Sequence, residues 1–245
     1  MDPKIQDAIE KYRSSLVRSK SEPPQCKACG DTGYIHRTDE NGYTFSRECE
    51  CRKVRRAMNA IERGNLGDLV REHTFETYKV GDRWQADIKR KAVEFANDSA
   101  GKWFFIGGQD GSGKTHICTA IVGRMMQRGK PVRYMLWVGE SEPLKAGVTD
   151  ADGYAEAIWP IKNADALYID DLFKTGARSD GRTIPTPADI RLAFDILNYR
   201  YLAGMTTIIS CEWTIRELMA IDSALGGRIY ERAADYCIDV GRGLR

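Results

Sequence analysis

Gly108-Gln109-Asp110-Gly111-Ser112-Gly113-Lys114-Thr115 is the stretch that decides the fold. It matches G-x-x-x-x-G-K-[ST], the phosphate-binding P-loop. Trp103-Phe104-Phe105-Ile106 precedes it, a short apolar run suited to a buried parallel strand. From His116 to Gln127, Ile117, Ala120, Ile121 and Met125 recur at helical spacing. Strand, loop and helix in that order are the context a P-loop requires. The glycines let backbone N–H groups turn inward around phosphate oxygens, and the helix N-terminus adds partial positive charge. Lys114 then reaches the β- and γ-phosphates and the Thr115 hydroxyl can ligate Mg²⁺. Residues 108–115, with His116 after them, are the candidate nucleotide contacts.

Outward from this loop, the whole chain sets bounds. Its 245 residues suffice for one substantial core and a small appendage. The formal net charge is +2, too mild to diagnose a nucleic-acid partner, so any basic patch must be local. No apolar run reaches membrane-spanning length, and the first residues lack the apolar core of a signal peptide. A soluble intracellular protein is expected. In that compartment seven cysteines read as metal ligands plus buried thiols rather than as disulfides.

Upstream of the loop, Ile5, Ala8, Ile9, Tyr12 and Leu16 fall on one face of a helix over residues 3–18. That stripe docks on a partner or packs on its own domain. Pro23-Pro24 closes a short linker. Cys26-x-x-Cys29 and Cys49-x-Cys51 then flank a hairpin-like segment with Tyr34, Ile35, Tyr43 and Phe45. Two close thiolate pairs at the ends of a hairpin can converge on one tetrahedral Zn²⁺, with His36 as a reserve ligand. Arg52-Lys53-Val54-Arg55-Arg56 follows, either a basic face for single-stranded nucleic acid or a solvated helix face. Phe75 and Tyr78 are candidates for a base pocket or for the core. A helix over residues 84–97 is expected with Ile88, Ala92, Phe95 and Ala96 inward.

Downstream, residues 132–137 read as a strand. Residues 140–145 and 152–159 read as helical or irregular, broken at Pro143 and Pro160. Ala166-Leu167-Tyr168-Ile169-Asp170-Asp171 is an apolar strand ending in two acids, the Walker B pattern. Asp170 is expected to hold Mg²⁺ through water, and Asp171 to orient or deprotonate the attacking water. Residues 174–187 read as a polar loop with Lys174, Arg178 and Arg182, a second candidate for DNA or a neighbour. Pro187-Ala188-Asp189 opens a helix with Ile190, Phe194, Leu197 and Tyr201 inward. The strand 205–210 ends at Ser210-Cys211-Glu212, where a γ-phosphate sensor would lie. Thr214 and Glu217 form a capping box. Gly226-Gly227-Arg228-Ile229-Tyr230-Glu231-Arg232 starts a short helix with two arginines at i and i+4. Residues 236–240 form the last strand. Strands alternating with helices imply a parallel sheet covered on both faces. A strand between the P-loop and Walker B strands points to the additional-strand NTPases.

Together these motifs resemble DnaC/DnaI-type replicative helicase loaders, in the shorter phage-like form. The resemblance covers nearly the whole chain and rests on residues 26–34 with Cys49 and Cys51, on the P-loop, on residues 167–173 and 207–210, and on residues 227–232. It implies an AAA+ ATPase domain over residues 67–245, without a C-terminal lid, behind an N-terminal helix and zinc module over residues 1–66. It implies ATP, Mg²⁺ and Zn²⁺ as cofactors. The implied partners are a hexameric replicative helicase, single-stranded DNA and further copies of the chain in the ATP state, in the cytoplasm. Arg228 and Arg232 match the family's arginine fingers, although Glu231 and Asp235 at i+3 offer exposed ion pairs instead. Relatives often end the sensor strand in Asn or Thr. Here Ser210 is the candidate, because an ionised Glu212 cannot donate to phosphate. Two rivals are an IstB-like transposition helper and a small-molecule kinase. A third is a zinc-dependent DNA-binding module whose nucleotide site is structural.

Overall fold

The computed structural model describes residues 26–40, 42–49, 51–52, 55, 66–174 and 184–241. The expected helix over residues 3–18, most of the basic stretch 52–56 and most of the loop 174–187 lie outside the described residues.

In the N-terminal segment, β1 (Tyr34–Thr38) and β2 (Thr44–Glu48) pair antiparallel. The larger sheet holds β3 (Trp103–Gly108), β4 (Val132–Leu136), β5 (Ala166–Leu172), β6 (Thr206–Cys211) and β7 (Cys237–Val240). Its order is β4-β5-β6-β3-β7, every pairing parallel. The P-loop strand β3 is thus interior, with β6 between it and Walker B strand β5, as the additional-strand class requires. Parallel strands need crossovers, and helices supply them. α1 (Gly67–Glu72) and α2 (Arg83–Asn97) precede β3, and the crossovers are α3 (Lys114–Gln127), α4 (Trp137–Ala146), α5 (Ala151–Lys162), α6 (Pro187–Leu202), α7 (Ile215–Ile221) and α8 (Ser223–Ala233).

Two cores result, one on each face. Ile88, Ala92, Phe95 and Ala96 of α2 meet α3 over Phe104 and Ile106 on one side, as their periodicity predicted. Phe75 and Tyr78 belong to this core. On the other side α4, α5, α6 and α8 cover Trp103, Phe105, Leu167 and Ile169. β3 is buried throughout, hence its unbroken apolar run.

Three expectations need correction. Pro143 and Pro160 do not break helices; each sits inside one. Each removes one backbone hydrogen bond, but Trp137 and Leu144, and Ile158 and Ile161, pack into the core and hold the segments helical. The inward face of α6 is centred on Leu192, Ala193, Ile196 and Leu197, while Ile190, Phe194 and Tyr201 lie at its margin. The cause is Arg200, which interrupts the apolar period yet is 0% exposed. Finally, the helix bearing Arg228 and Arg232 is three turns long, opening at Ser223 behind an Asp222 cap.

Arg200 staples three elements. Its Nε donates to Thr207 Oγ1 at 3.0 Å and its Nη1 to the carbonyls of Lys162 at 3.0 Å and Ala164 at 2.8 Å; its Nη2 donates to the Thr206 carbonyl. Burial pulls its pKa down to about 10, so it stays charged at neutral pH. Arg200→Met keeps the bulk but leaves those buried carbonyls unsatisfied. It is expected to destabilise the ATPase core by about 3–5 kcal/mol in chemical denaturation. An unchanged midpoint would show that the carbonyls find other donors.

Candidate nucleotide and zinc sites

The P-loop leaves β3 at Gly108, whose φ of +108° and close approach to β7 both demand glycine: a Cβ there would stand 2.2 Å from the Val240 carbonyl oxygen. The next N–H, of Gln109, donates to that same carbonyl at 3.1 Å, so β7 braces the loop. Gly113, at φ +84°, caps α3 in the left-handed region with the Tyr78 ring packed against it. Lys114 is 6% exposed, and its Nζ donates to the carbonyls of Gly108 at 2.9 Å and Gln109 at 2.8 Å. His116 faces elsewhere. Its Nε2 donates to the Thr74 carbonyl at 3.0 Å, its ring stacks on His73, and burial lowers its pKa. It thereby ties α3 to the segment before α2. A cavity of about 340 Å³ abuts the loop, lined among others by Lys79, Trp84, Gln85, Gln109 and Ser112. Phe75 and Tyr78, the base-pocket candidates, do not line it.

Strand register explains the Walker B acids. Ile169 pairs with Ile209 and Leu172 with Cys211, so Asp170 and Asp171 together oppose Ser210. This is a β-bulge, which leaves an N–H without its ladder partner and re-aims side chains. Ser210 repairs it: its Oγ accepts from the Asp171 N–H at 3.0 Å and donates to Asp170 Oδ1 at 2.6 Å. The sequence offered this hydroxyl to the γ-phosphate; in the structure both bonds go to the bulge. Tyr168 and Tyr134 also donate to Asp170, at 2.6 and 3.0 Å. Sequence reasoning missed these two tyrosines. The only signal was Tyr168 two residues before Asp170, on the same face of one strand. Neutral donors fix the Asp170 carboxylate without cancelling its charge.

Thr115 Oγ1 lies 3.4 Å from Asp170 Oδ1. A hydroxyl and a negative carboxylate meeting at the foot of a P-loop fit a hard divalent cation such as Mg²⁺. Asp171, at φ +56°, turns its side chain away from that pair towards Lys174 Nζ, 3.0 Å distant. Burial, outweighing that pair, raises the Asp171 carboxyl above its usual range.

The four cysteines converge. Their sulfurs all lie within 4.8 Å of one another, with Cys26–Cys49 at 3.6 Å and Cys29–Cys51 at 3.4 Å. Tetrahedral Zn²⁺ at ~2.3 Å from each sulfur spaces neighbouring sulfurs by about 3.8 Å, so the donor set fits. His36 is not in the cluster; its Nδ1 bonds Ser46 Oγ at 2.7 Å on the hairpin. Two of the basic residues are occupied locally. Arg55 donates to Cys51 Sγ at 3.2 Å and to the Asp31 carbonyl, and Arg52 pairs with Glu48 and lies over the Tyr34 ring. At these two positions the arginines brace the zinc module.

Arg228 and Arg232 do not form the ion pairs their spacing allowed. Arg228 lies over the Phe194 ring, 4.8 Å from its centroid, and Arg232 over Tyr201 at 4.9 Å. Glu231 is taken by the Tyr201 hydroxyl at 2.8 Å.

No family model matches the chain. A curated relative, the phage-like element PBSX protein XkdC of Bacillus subtilis strain 168, is 31% identical over 96% of this chain and 91% of its own length. The replicative helicase loader DnaC of Escherichia coli K12 is 26% identical over 52% of each chain. The chain belongs to the DnaC/DnaI-type loader family. A solved replication initiator DnaA bound to AMPPCP and single-stranded DNA shares the fold with a TM-score of 0.54. It is 22% identical over 71% of this chain and 50% of its own. The match to DnaC spans only about half of that protein, whereas the match to XkdC runs almost end to end. The parallel sheet order β4-β5-β6-β3-β7 with a P-loop after β3 is the fold shared with the DnaA structure. Among the described residues no helix is long and apolar enough to cross a membrane.

Proposed function

We propose that this chain is an ATP-driven loader that delivers a ring-shaped replicative helicase onto single-stranded DNA. The observation that carries the reading is the bulge, which holds Asp170 beside Thr115 and separates from it Asp171, a second acid aimed elsewhere. Two acids with distinct surroundings suit a division of labour. Lys114 would leave the loop carbonyls for the β- and γ-phosphates of ATP. Thr115 and Asp170 would hold Mg²⁺, which supplies charge stabilisation to the phosphate oxygens when bound. Asp171 would orient the attacking water and take its proton. The base would enter the cavity beside Trp84 and Gln85. Residues 1–66 would form the helicase- and DNA-directed part and residues 67–245 the ATPase, assembling with further copies in the ATP state.

Two substitutions test the division. Lys114→Ala is expected to weaken ATP binding. Asp171→Asn is expected to bind Mg-ATP normally while turnover falls by about a hundredfold or more. Nucleotide binding and phosphate release, measured with single-stranded DNA and helicase present, separate the two. Equal loss of ATP binding in both variants contradicts these roles. A phosphorylated small molecule as product would return the chain to the kinase reading.

A further inference from the structure

Glu212 is an oddity for a residue at the end of a sensor strand, because its carboxylate would repel phosphate. The structure shows what it meets. Lys174 Nζ lies 2.9 Å from Glu212 Oε1 and 3.0 Å from Asp171 Oδ2, so one ammonium joins the end of β6 to the end of the Walker B segment. Glu212 and Asp171 are mostly buried there, at 14% and 21% side-chain exposure.

The turn that puts Lys174 there is built rather than incidental. Asp171 and Phe173 both take left-handed backbone conformations, at φ +56° and +66°, which residues with a Cβ resist. Phe173 is anchored by burial edge-on against Trp137, with ring centroids 5.4 Å apart. The Lys174 N–H closes the turn on the Asp171 carbonyl at 2.9 Å. From the other side, the Cys211 thiol donates to the Leu172 carbonyl at 3.1 Å, holding Glu212 beside the turn. Strain at two positions of one turn, either side of Leu172 and held by packing on both sides, is a pattern that goes with function.

We propose that Lys174, held by Glu212, is a positioning residue for Asp171 in ATP hydrolysis. Asp170, Asp171 and Glu212 place three carboxylates around a site meant for a triphosphate. Without a cation between them, Asp171 and Glu212 would repel each other and the phosphates, and Asp171 would swing from the water it orients. Lys174 cancels that repulsion at fixed geometry, and Glu212 keeps Lys174 from following the phosphate. The inference rests on the ATPase reading above.

The test uses the full chain with Mg-ATP, DNA and helicase. Lys174→Met keeps the stem and removes the charge. It is expected to lower kcat by about tenfold to a hundredfold, the range for a misplaced catalytic group, with KM and the affinity for a non-hydrolysable ATP analogue changed less than about threefold. Lys174→Arg should recover most of the rate. Glu212→Gln should cost less than Lys174→Met and add almost nothing in the double variant, since both act through one contact. An unchanged or raised kcat in Lys174→Met overturns the proposal, the latter making Lys174 a brake. Loss of nucleotide affinity equal to the loss of kcat overturns it too, making Lys174 a phosphate ligand. Asp171→Asn is the control. If it abolishes turnover while Lys174→Met does not change it, the positioning role fails and the ATPase reading stands. If the wild type releases no phosphate with all partners present, both fall.

Discussion

Arg228→Ala and Arg232→Ala are expected to bind ATP as the wild type does and to hydrolyse it about a thousandfold more slowly, the usual value of an arginine finger. A finger acts across a subunit boundary on the charge that develops as the phosphoryl group transfers, so it leaves ground-state binding alone. The surroundings of the two arginines suit such a task. Each guanidinium rests on an aromatic face of α6, Arg228 on Phe194 and Arg232 on Tyr201, and Arg228 also donates to the Ala224 carbonyl at 3.0 Å. Stacking fixes direction without neutralising charge, whereas an ion pair with Glu231 would have done both. A cation–π contact at a half-exposed site stabilises by only about 0.5–1 kcal/mol, so both variants should fold. Mixing separates a finger from a structural arginine. Arg228→Ala combined with Lys114→Ala should regain activity, because one interface then joins an intact P-loop to an intact finger. Turnover per chain that is independent of protein concentration, with no recovery in the mixture, removes the assignment.

Cys49→Ser is expected to abolish zinc binding and unfold the N-terminal hairpin while leaving the ATPase core intact. A two-stranded hairpin is at best marginal alone, and β2 is solvent-exposed along its whole length, so little apolar burial holds it. Structural Zn²⁺ supplies roughly 10–16 kcal/mol of binding free energy, which in such a module is folding free energy. Cys49 is the most buried of the four, at 3% exposure, and its backbone N–H also bonds the Gly33 carbonyl at 2.9 Å. Metal analysis of protein purified without chelators should find one zinc per chain, and none in the variant. ATP binding and the denaturation midpoint of the core should match the wild type. Zinc retained by Cys49→Ser would require a ligand outside the four sulfurs.

The parts legible in the sequence are those whose signal is local. The P-loop needs its glycines and Lys-Thr within eight positions. The cysteine pairs announce a shared metal by spacing. Ile88, Ala92, Phe95 and Ala96 declare a helix face by period, and Thr214 with Glu217 a cap, which the structure forms with Thr214 Oγ1 accepting from the Glu217 N–H. In each case a few neighbouring residues contain the whole physical argument.

Tertiary structure decided what depends on residues distant in the chain. Ser210 lies 40 positions from Asp170 and Tyr134 lies 36, and only the register of three adjacent strands brings their hydroxyls to one carboxylate. Lys174 reads as the start of a polar loop until the turn at Phe173 folds it onto Asp171 and Glu212. Arg200 reads as the polar side of α6, yet it is buried because the carbonyls of residues 162, 164 and 206 converge there. Pro143 and Pro160 read as breaks, and packing of their helices on the sheet outweighs one missing hydrogen bond each. Periodicity and motif spacing report the backbone that a residue prefers among its near neighbours; which distant donor meets which acceptor is set by strand register and layer packing.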